Sequence, residues 1–431
     1  LVITYAGRDE RTNAERPPAV PVGELLDVVD RTVRAGAAVD GAAVSARHEV
    51  VVAHPLQPFD VRNFAAGALT PGQPWSFDAV ALEGARALGQ PRRQPPPFLS
   101  GRLPAAAGPM VELEALVRFV QHPVRAFLRQ RLGITVATYD EDVSDALPVE
   151  LDHLEQWGVG DRLLAARLAG ADLAACTAAE VARGILPPGA LADAILDRVT
   201  PTVEGLVEAA SALEGGAGRR SVEVNLELPD GRLLVGTVPG VADRLMATVV
   251  YSRVGPKHRL AAWARFLALT AARPDTAFEA ATVGRKRAGV RGRATVTVAR
   301  IAAFEGDPPA RRARALHHLV PLVDLFDRGM CEPLPLYCTS SAAYAAAAGT
   351  DPKAAARKAW ESEFKFPKED DDREHLLVLG GTRLAFADIL QEAPGEDEWG
   401  DGWADDETTR FGRYARRLWD GLLQCEELTE T

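Results

Sequence analysis

The chain has 431 residues, enough for two or three domains that each bury a core, with 47% hydrophobic and 25% charged residues as in ordinary globular proteins. No uninterrupted apolar run is long enough to cross a bilayer, and the net charge of -11 excludes a protein that wraps nucleic acid over its whole surface. Cys176, Cys331, Cys338 and Cys425 form no C-x-x-C pair, so neither a zinc ribbon nor a disulfide framework is expected and the four read as reduced thiols.

In chain order, Leu1-Val2-Ile3-Thr4-Tyr5 predicts a strand entered in mid-course, without a signal peptide, as in a fragment of a longer cytoplasmic polypeptide. A helix follows over 22–33, with Leu25, Leu26, Val28 and Val29 on its buried side. Residues 36–108 are rich in Ala, Gly and Pro and read as an extended connector, with helical periodicity only around 79–88.

Leu113, Leu116, Val117, Val120, Val124, Phe127, Leu128 and Leu132 recur at helical spacing and predict a helix over 111–132, broken or kinked at Pro123. Further helices are predicted over 151–168, 178–183 and 190–213. The period then changes to two: 222–228, 233–241 and 245–251 read as a three-strand meander with a turn at Asp230-Gly231. A helix over 257–270, strands over 278–283 and 295–304, and a helix over 309–326 complete a β-β-β-α-β-β-α order, which predicts an α/β layer protein with helices covering a sheet. The last hundred residues read as helical and irregular, with acidic runs over 369–374 and 392–407.

Several blocks in this order resemble the RecC family, the gamma subunits of the bacterial RecBCD helicase-nuclease (exodeoxyribonuclease V). They are Tyr5-Ala6-Gly7-Arg8 with Glu15-Arg16-Pro17-Pro18, His54-Pro55-Leu56-Gln57-Pro58-Phe59-Asp60 with Arg62-Asn63-Phe64, and His122-Pro123-Val124-Arg125-Ala126-Phe127-Leu128. Glu150-Leu151-Asp152 with Trp157, Pro333-Leu334-Pro335-Leu336 and Lys358-Ala359-Trp360 extend the likeness over nearly the whole chain; Ala19 and Pro21 depart from it without touching function. The resemblance implies three parts: 1–35 as the end of a helicase-like domain, 36–108 as a connector, and 109–431 as an inactive nuclease-like C-terminal domain. It also implies a degenerate restriction-endonuclease-like core of the PD-(D/E)xK, RecB-nuclease-like type.

Such nucleases need carboxylates on adjacent strand ends to hold Mg²⁺, and a Lys to position or activate water. Against the strand Gly-x-Ile-Asp of active relatives stands Gly236-Thr237-Val238-Pro239, and 245–253 holds no acid, although Arg253 falls near the lost Lys. Asp243 is expected in a turn; a shifted site built from Asp230, Asp243 and Lys257 would need carboxylates converging from two turns. His122 stands where some relatives carry an iron-sulfur Cys, but no set of four thiolates exists, and it reads as the residue that sets the break before Pro123. No G-x-x-x-x-G-K-[ST] occurs, so ATP chemistry is not expected, nor is any cofactor.

Against the acidic background, 253–300 carries eleven Lys and Arg and only two acids, Asp275 and Glu279. Its densest part holds Arg285, Lys286, Arg287, Arg291 and Arg293 between two strands, and these are the candidate DNA-binding residues; a merely solvated loop or an acidic partner is the alternative. Arg125, Arg129 and Arg131 are weaker, since they do not share one helix face. Exposed aromatics for base stacking are not evident, because Trp157, Trp263 and Trp360 sit in apolar helical patterns. Trp399 and Trp403 read either as a docking surface or as a loop folded on its own domain. The resemblance implies a non-catalytic scaffold and DNA guide for double-strand-break repair, partnered by RecB and RecD subunits, a duplex end and the separated strands. The alternatives are an active Mg²⁺-dependent nuclease and a purely protein-binding scaffold.

Overall fold

The computed structural model describes residues 2–9, 14–33, 45–91, 96–105, 108–136, 150–286, 296–364, 366–400 and 402–430. The chain forms two compact units, residues 1–95 and 96–431. Among its described residues the first contains the α-helices α1 (Val20–Thr32), α2 (Arg47–Val50) and α3 (Ala79–Leu88) and a 3-10 turn, Val61–Asn63. α3 starts where Asp78 accepts hydrogen bonds from the backbone N–H of Val80 and Ala81. Two expectations are corrected here. The opening strand is absent among the described residues, where only an isolated bridge joins Arg8 to Glu15, because no partner strand supplies its ladder. α1 exists, but it buries none of its residues, and Leu25 and Val28 are exposed.

The second unit is built on a mixed sheet of β1 (Met110–Glu112), β2 (Arg220–Glu227), β3 (Leu233–Ala242), β4 (Leu245–Val250), β5 (Glu279–Arg285), β6 (Val296–Ile301) and β7 (Glu426–Glu430). The order is β1-β3-β4-β5-β6-β7, with β2 antiparallel on the other flank of β3. β4 pairs with β3 only at the hairpin tip, through Val241 with Met246 and Ala242 with Leu245. Beyond it the strands part, and β1 runs parallel to the start of β3 on that same edge. The β-β-β-α-β-β-α order read from the sequence is the one observed. β1 and β7 were not legible: β1 is three residues long and leads straight into a helix, and β7 is an acidic edge strand, Glu-Glu-Leu-Thr-Glu.

Helices cover both faces. On one lie α4 (Leu113–Gln121), α9 (Pro256–Ala272), α10 (Pro308–Gly329) and α15 (Arg410–Leu423); on the other, α6 (His153–Leu168), α7 (Leu173–Ala182) and α8 (Ala190–Glu214). α5 (Pro123–Ala126) continues α4 after a break and passes into a π turn, 127–131. The remaining helices are α11 (Cys338–Ala346), α12 (Pro352–Trp360), α13 (Arg373–Val378) and α14 (Phe386–Ile389). The period of two divides β5 between the faces: Ala280 faces the α9 core, while Ala281 and Val283 face α6 and α8. α9 buries Leu260–Ala264 and Phe266–Ala271, so it is apolar nearly all round, as a helix inside a core must be. α6 begins with a capping box of Asp152 and Glu155.

His318 of α10 packs on Trp263 and Phe304 and against Gly421. Burial, then the neighbouring His317 and Arg314, push its imidazole down to about 4. Below about 6.5 the unfolded chain takes up a proton that the folded chain refuses until about pH 4. Stability therefore falls as pH falls through this window, by about 2 kcal/mol once its partial exposure is discounted. Urea titrations at pH 7 and pH 4.5 check it, and His318→Gln should remove this part of the slope.

Candidate nucleic-acid cleft

α4 ends at Gln121 because the next residues are His122 and Pro123: the Pro ring cannot continue an α-helix, and His122 adopts φ -160°, ψ 83°. The His122 imidazole then caps the short α5, its Nδ1 accepting from the Arg125 backbone N–H at 3.1 Å. The break opens one wall of a cleft of about 1100 Å³, whose other walls come from the segment after β4, the start of α9, the end of β5, and the loop before α13.

Six cationic side chains line it: Arg118, Arg125, Arg129, Arg253, Lys257 and Arg285. Two carboxylates, Glu369 and Asp372, also line it. Both are already engaged. Glu369 accepts from the Thr339 and Ser340 backbone N–H groups at 2.7 and 2.8 Å and from Ser340 Oγ at 2.6 Å, holding the start of α11. Asp372 caps α13 through the Glu374 and His375 N–H groups and lies 3.2 Å from His122 Nε2. Arg125 is bidentate on Glu374, at 2.7 and 3.3 Å. Arg129, Arg253 and Lys257 are exposed and make no ion pair among the described residues. The N-terminus of α9, at Pro256 and Lys257, adds the positive end of a 17-residue helix dipole. The cleft is thus a surplus of unspent positive charge on an acidic protein.

The ligand atoms of His122, Asp372 and His375 lie within 4.8 Å of one another, close enough to suggest a metal site. Their hydrogen bonds argue otherwise. Since His122 Nδ1 accepts from a backbone N–H, the neutral ring carries its proton on Nε2 and donates it to Asp372, so the lone pair a metal needs is absent. His375 Nδ1 lies 2.7 Å from the Glu369 carbonyl oxygen and donates to it, leaving one imidazole nitrogen and one carboxylate, too few for a closed site. Burial alone would raise the Asp372 carboxyl, but the hydrogen bonds it accepts from the His122 ring and the His375 backbone N–H hold it below the usual carboxylate range. Burial lowers the His375 imidazole.

Of the sequence candidates, Arg285 lines the cleft, its guanidinium 5.1 Å from the centre of the buried Tyr251 ring. Lys286 is tied instead to Glu430 of β7, at 2.6 Å. Arg287, Arg291 and Arg293 lie outside the described residues. Arg125 and Arg129, four apart, share the cleft face, whereas Arg131 turns to the Pro104 carbonyl. Arg118, Arg129 and Lys257 were not singled out as a set, because their convergence depends on the turn at His122-Pro123 and on the packing of α9 against α4.

Pro239 is exposed on β3 and does not line the cleft; Arg253, just past β4, does. Asp243 is in the β3–β4 turn at φ 51°, and Asp230 pairs with Arg232 before the start of β3. The two acids therefore sit at opposite ends of a ten-residue strand and cannot converge with Lys257 on one metal. Trp263 and Trp360 are buried and Trp157 partly so. Aromatics that the sequence did not make evident as exposed include Trp75 and Phe77 in the first unit and, in the second, Phe364 and Phe366 on the turn after α12. Trp403 packs against Arg328 and Arg417 of its own unit, whereas Trp399 rests on the buried Arg413 and remains 52% exposed.

Residues 109–349 match the family model of the RecC C-terminal domain. The chain is 38% identical over 429 residues to a protein named RecBCD enzyme subunit RecC from Mycobacterium tuberculosis, covering 99% of this chain and 36% of that protein. Against the Mycolicibacterium smegmatis protein of the same name the identity is 38% over 435 residues, covering 99% and 37%. Against the Escherichia coli K12 protein it is 26% over 351 residues, covering 80% and 28%. The chain thus spans little more than a third of the length of the mycobacterial relatives. Among the described residues, no helix is long and apolar enough to cross a membrane. With the family model matching more than half of its length, the chain belongs to the RecC family and corresponds to the C-terminal region of that subunit.

Proposed function

We propose that the chain is a non-catalytic scaffold and DNA guide within a cytoplasmic RecBCD-type complex for double-strand-break repair, working with RecB and RecD subunits on a duplex end and its separated strands. The observation that carries this reading is the cleft: six cations face two carboxylates that are already committed to helix caps. Phosphate contact needs cations free to pair, and Mg²⁺-dependent hydrolysis needs carboxylates free to coordinate. The cleft offers the first and not the second. The names of the relatives place their RecC in a RecBCD enzyme, which supports the assembly.

The nuclease-like core belongs to the same proposal. It is supported by the parting of β3 and β4 beside the cleft and by Arg253 near the position of a lost catalytic Lys. The remaining domain assignments, 1–35 as the end of a helicase-like domain and 36–108 as a connector, complete it.

The test is incubation of the chain with labelled single- and double-stranded DNA and Mg²⁺ or Mn²⁺. No cleavage is expected, with salt-sensitive binding. Cleavage abolished by EDTA and by Asp243→Ala would overturn the non-catalytic assignment; binding indifferent to salt would overturn DNA guidance and leave a protein-binding scaffold.

A further inference from the structure

We propose that the exposed turn carrying Phe364 and Phe366 is a base-stacking subsite for single-stranded nucleic acid whose backbone lies in the cationic cleft. The proposal rests on the DNA reading above and adds to it a ligand face and residues.

Hydrogen bonds hold the base of the turn. α12 ends at Trp360, anchored by its indole N–H to the Leu384 carbonyl at 2.8 Å. The Ser362 backbone N–H donates to Asp370 at 3.0 Å, and the Lys368 N–H donates to Ser362 Oγ at 2.7 Å. Glu363 and Phe366 exchange backbone hydrogen bonds at 3.2 and 2.9 Å. Lys368 Nζ closes the loop onto the Lys358 carbonyl and Glu363. On this base Phe364 is 102% and Phe366 67% exposed. Phe364 buries none of its surface and Phe366 only about a third, so the fold gains little from the two rings, and an aromatic facing water is a ready platform for a flat apolar surface.

The tip is continuous with the cleft. The hollow beneath Phe364 is bordered by Asp371 and Arg383. The next hollow shares Asp371 and is bordered by Arg125, Arg129 and Asp372, which also line the cleft. Along this middle stretch Arg125, Arg129 and Arg373 balance Asp371, Asp372 and Glu374, so the net positive charge is at the cleft end. Phosphates are therefore drawn to the cleft while the strand reaches the tip with its bases. A duplex keeps its base faces stacked internally, so only unpaired bases can use the rings.

The experiment measures binding of the chain to a mixed-sequence single strand, an abasic strand of equal length and a duplex, across a salt series. Phe364→Ala/Phe366→Ala should weaken single-strand binding roughly tenfold, leave the abasic strand and the duplex unchanged, and keep the salt slope, because stacking releases no counterions. Both rings are exposed, so the variant should keep its melting temperature. An unchanged single-strand affinity, or an equal loss on the abasic strand, overturns the proposal. If loss of the cleft cations abolishes salt-dependent binding while the Phe variant does nothing, only the stacking subsite falls. If neither set matters, the DNA reading falls with it.

Discussion

Replacing Arg129, Arg253 and Lys257 together by Ala should weaken binding of a single-stranded oligonucleotide by about 10²-fold at 0.1 M salt and flatten its log–log salt slope by about 2. The magnitude follows from counterion release, at about 0.7 in slope per phosphate contact on a single strand. These three are the ones to change because they are exposed and make no ion pair among the described residues, so their loss removes charge without orphaning a carboxylate. Arg125 is a poor probe, since its removal would strand Glu374, which is buried. A matched control is Arg244→Ala, exposed at the β3–β4 turn beside Asp243. If the triple variant and the control show the same slope, the cleft does not hold phosphates.

The largest effect on stability should come from Gly160→Val, at about 3 kcal/mol or more, read as a fall in the urea midpoint. A Cβ at Gly160 of α6 would lie 2.1 Å from Cζ and 2.2 Å from Cε1 of Tyr251. The Tyr251 ring is 4% exposed at the end of β4 and cannot swing away without opening the core between the sheet and α6 to α8. Gly160→Ala should also destabilise, because the gain in helix propensity, about 1 kcal/mol, is smaller than the clash. Combining it with Tyr251→Leu should recover part of the loss, a coupling that two independent sites would not show. The same Tyr251 ring carries the Arg285 guanidinium, so a displaced ring also disturbs the cleft wall. A Gly160→Val chain with an unchanged midpoint would mean that α6 does not lie against that ring.

How much was legible in the sequence differs by element. The α8, β3, β4 and α9 segments were found within about two residues, because strict alternation or a 3.6-residue apolar period states both the element and its buried face. The break at His122-Pro123 was legible because proline's covalent ring forbids the helix whatever surrounds it. The opening strand and the buried face of α1 were misread because a pattern proposes a partner and cannot supply one.

The sequence by itself determined the α/β class, the family and the lack of acids over residues 245–253, since each depends only on which residues follow one another. The tertiary structure alone decided where the charge is spent. Lys286, in the densest basic run, is neutralised by Glu430 of a strand 144 positions away, while Arg118, Arg129, Arg253 and Lys257 converge from three separate segments on one cleft. Whether a cation is free to meet a phosphate depends on the carboxylates within a few ångströms of it, and that distance is set by packing between segments remote in the chain.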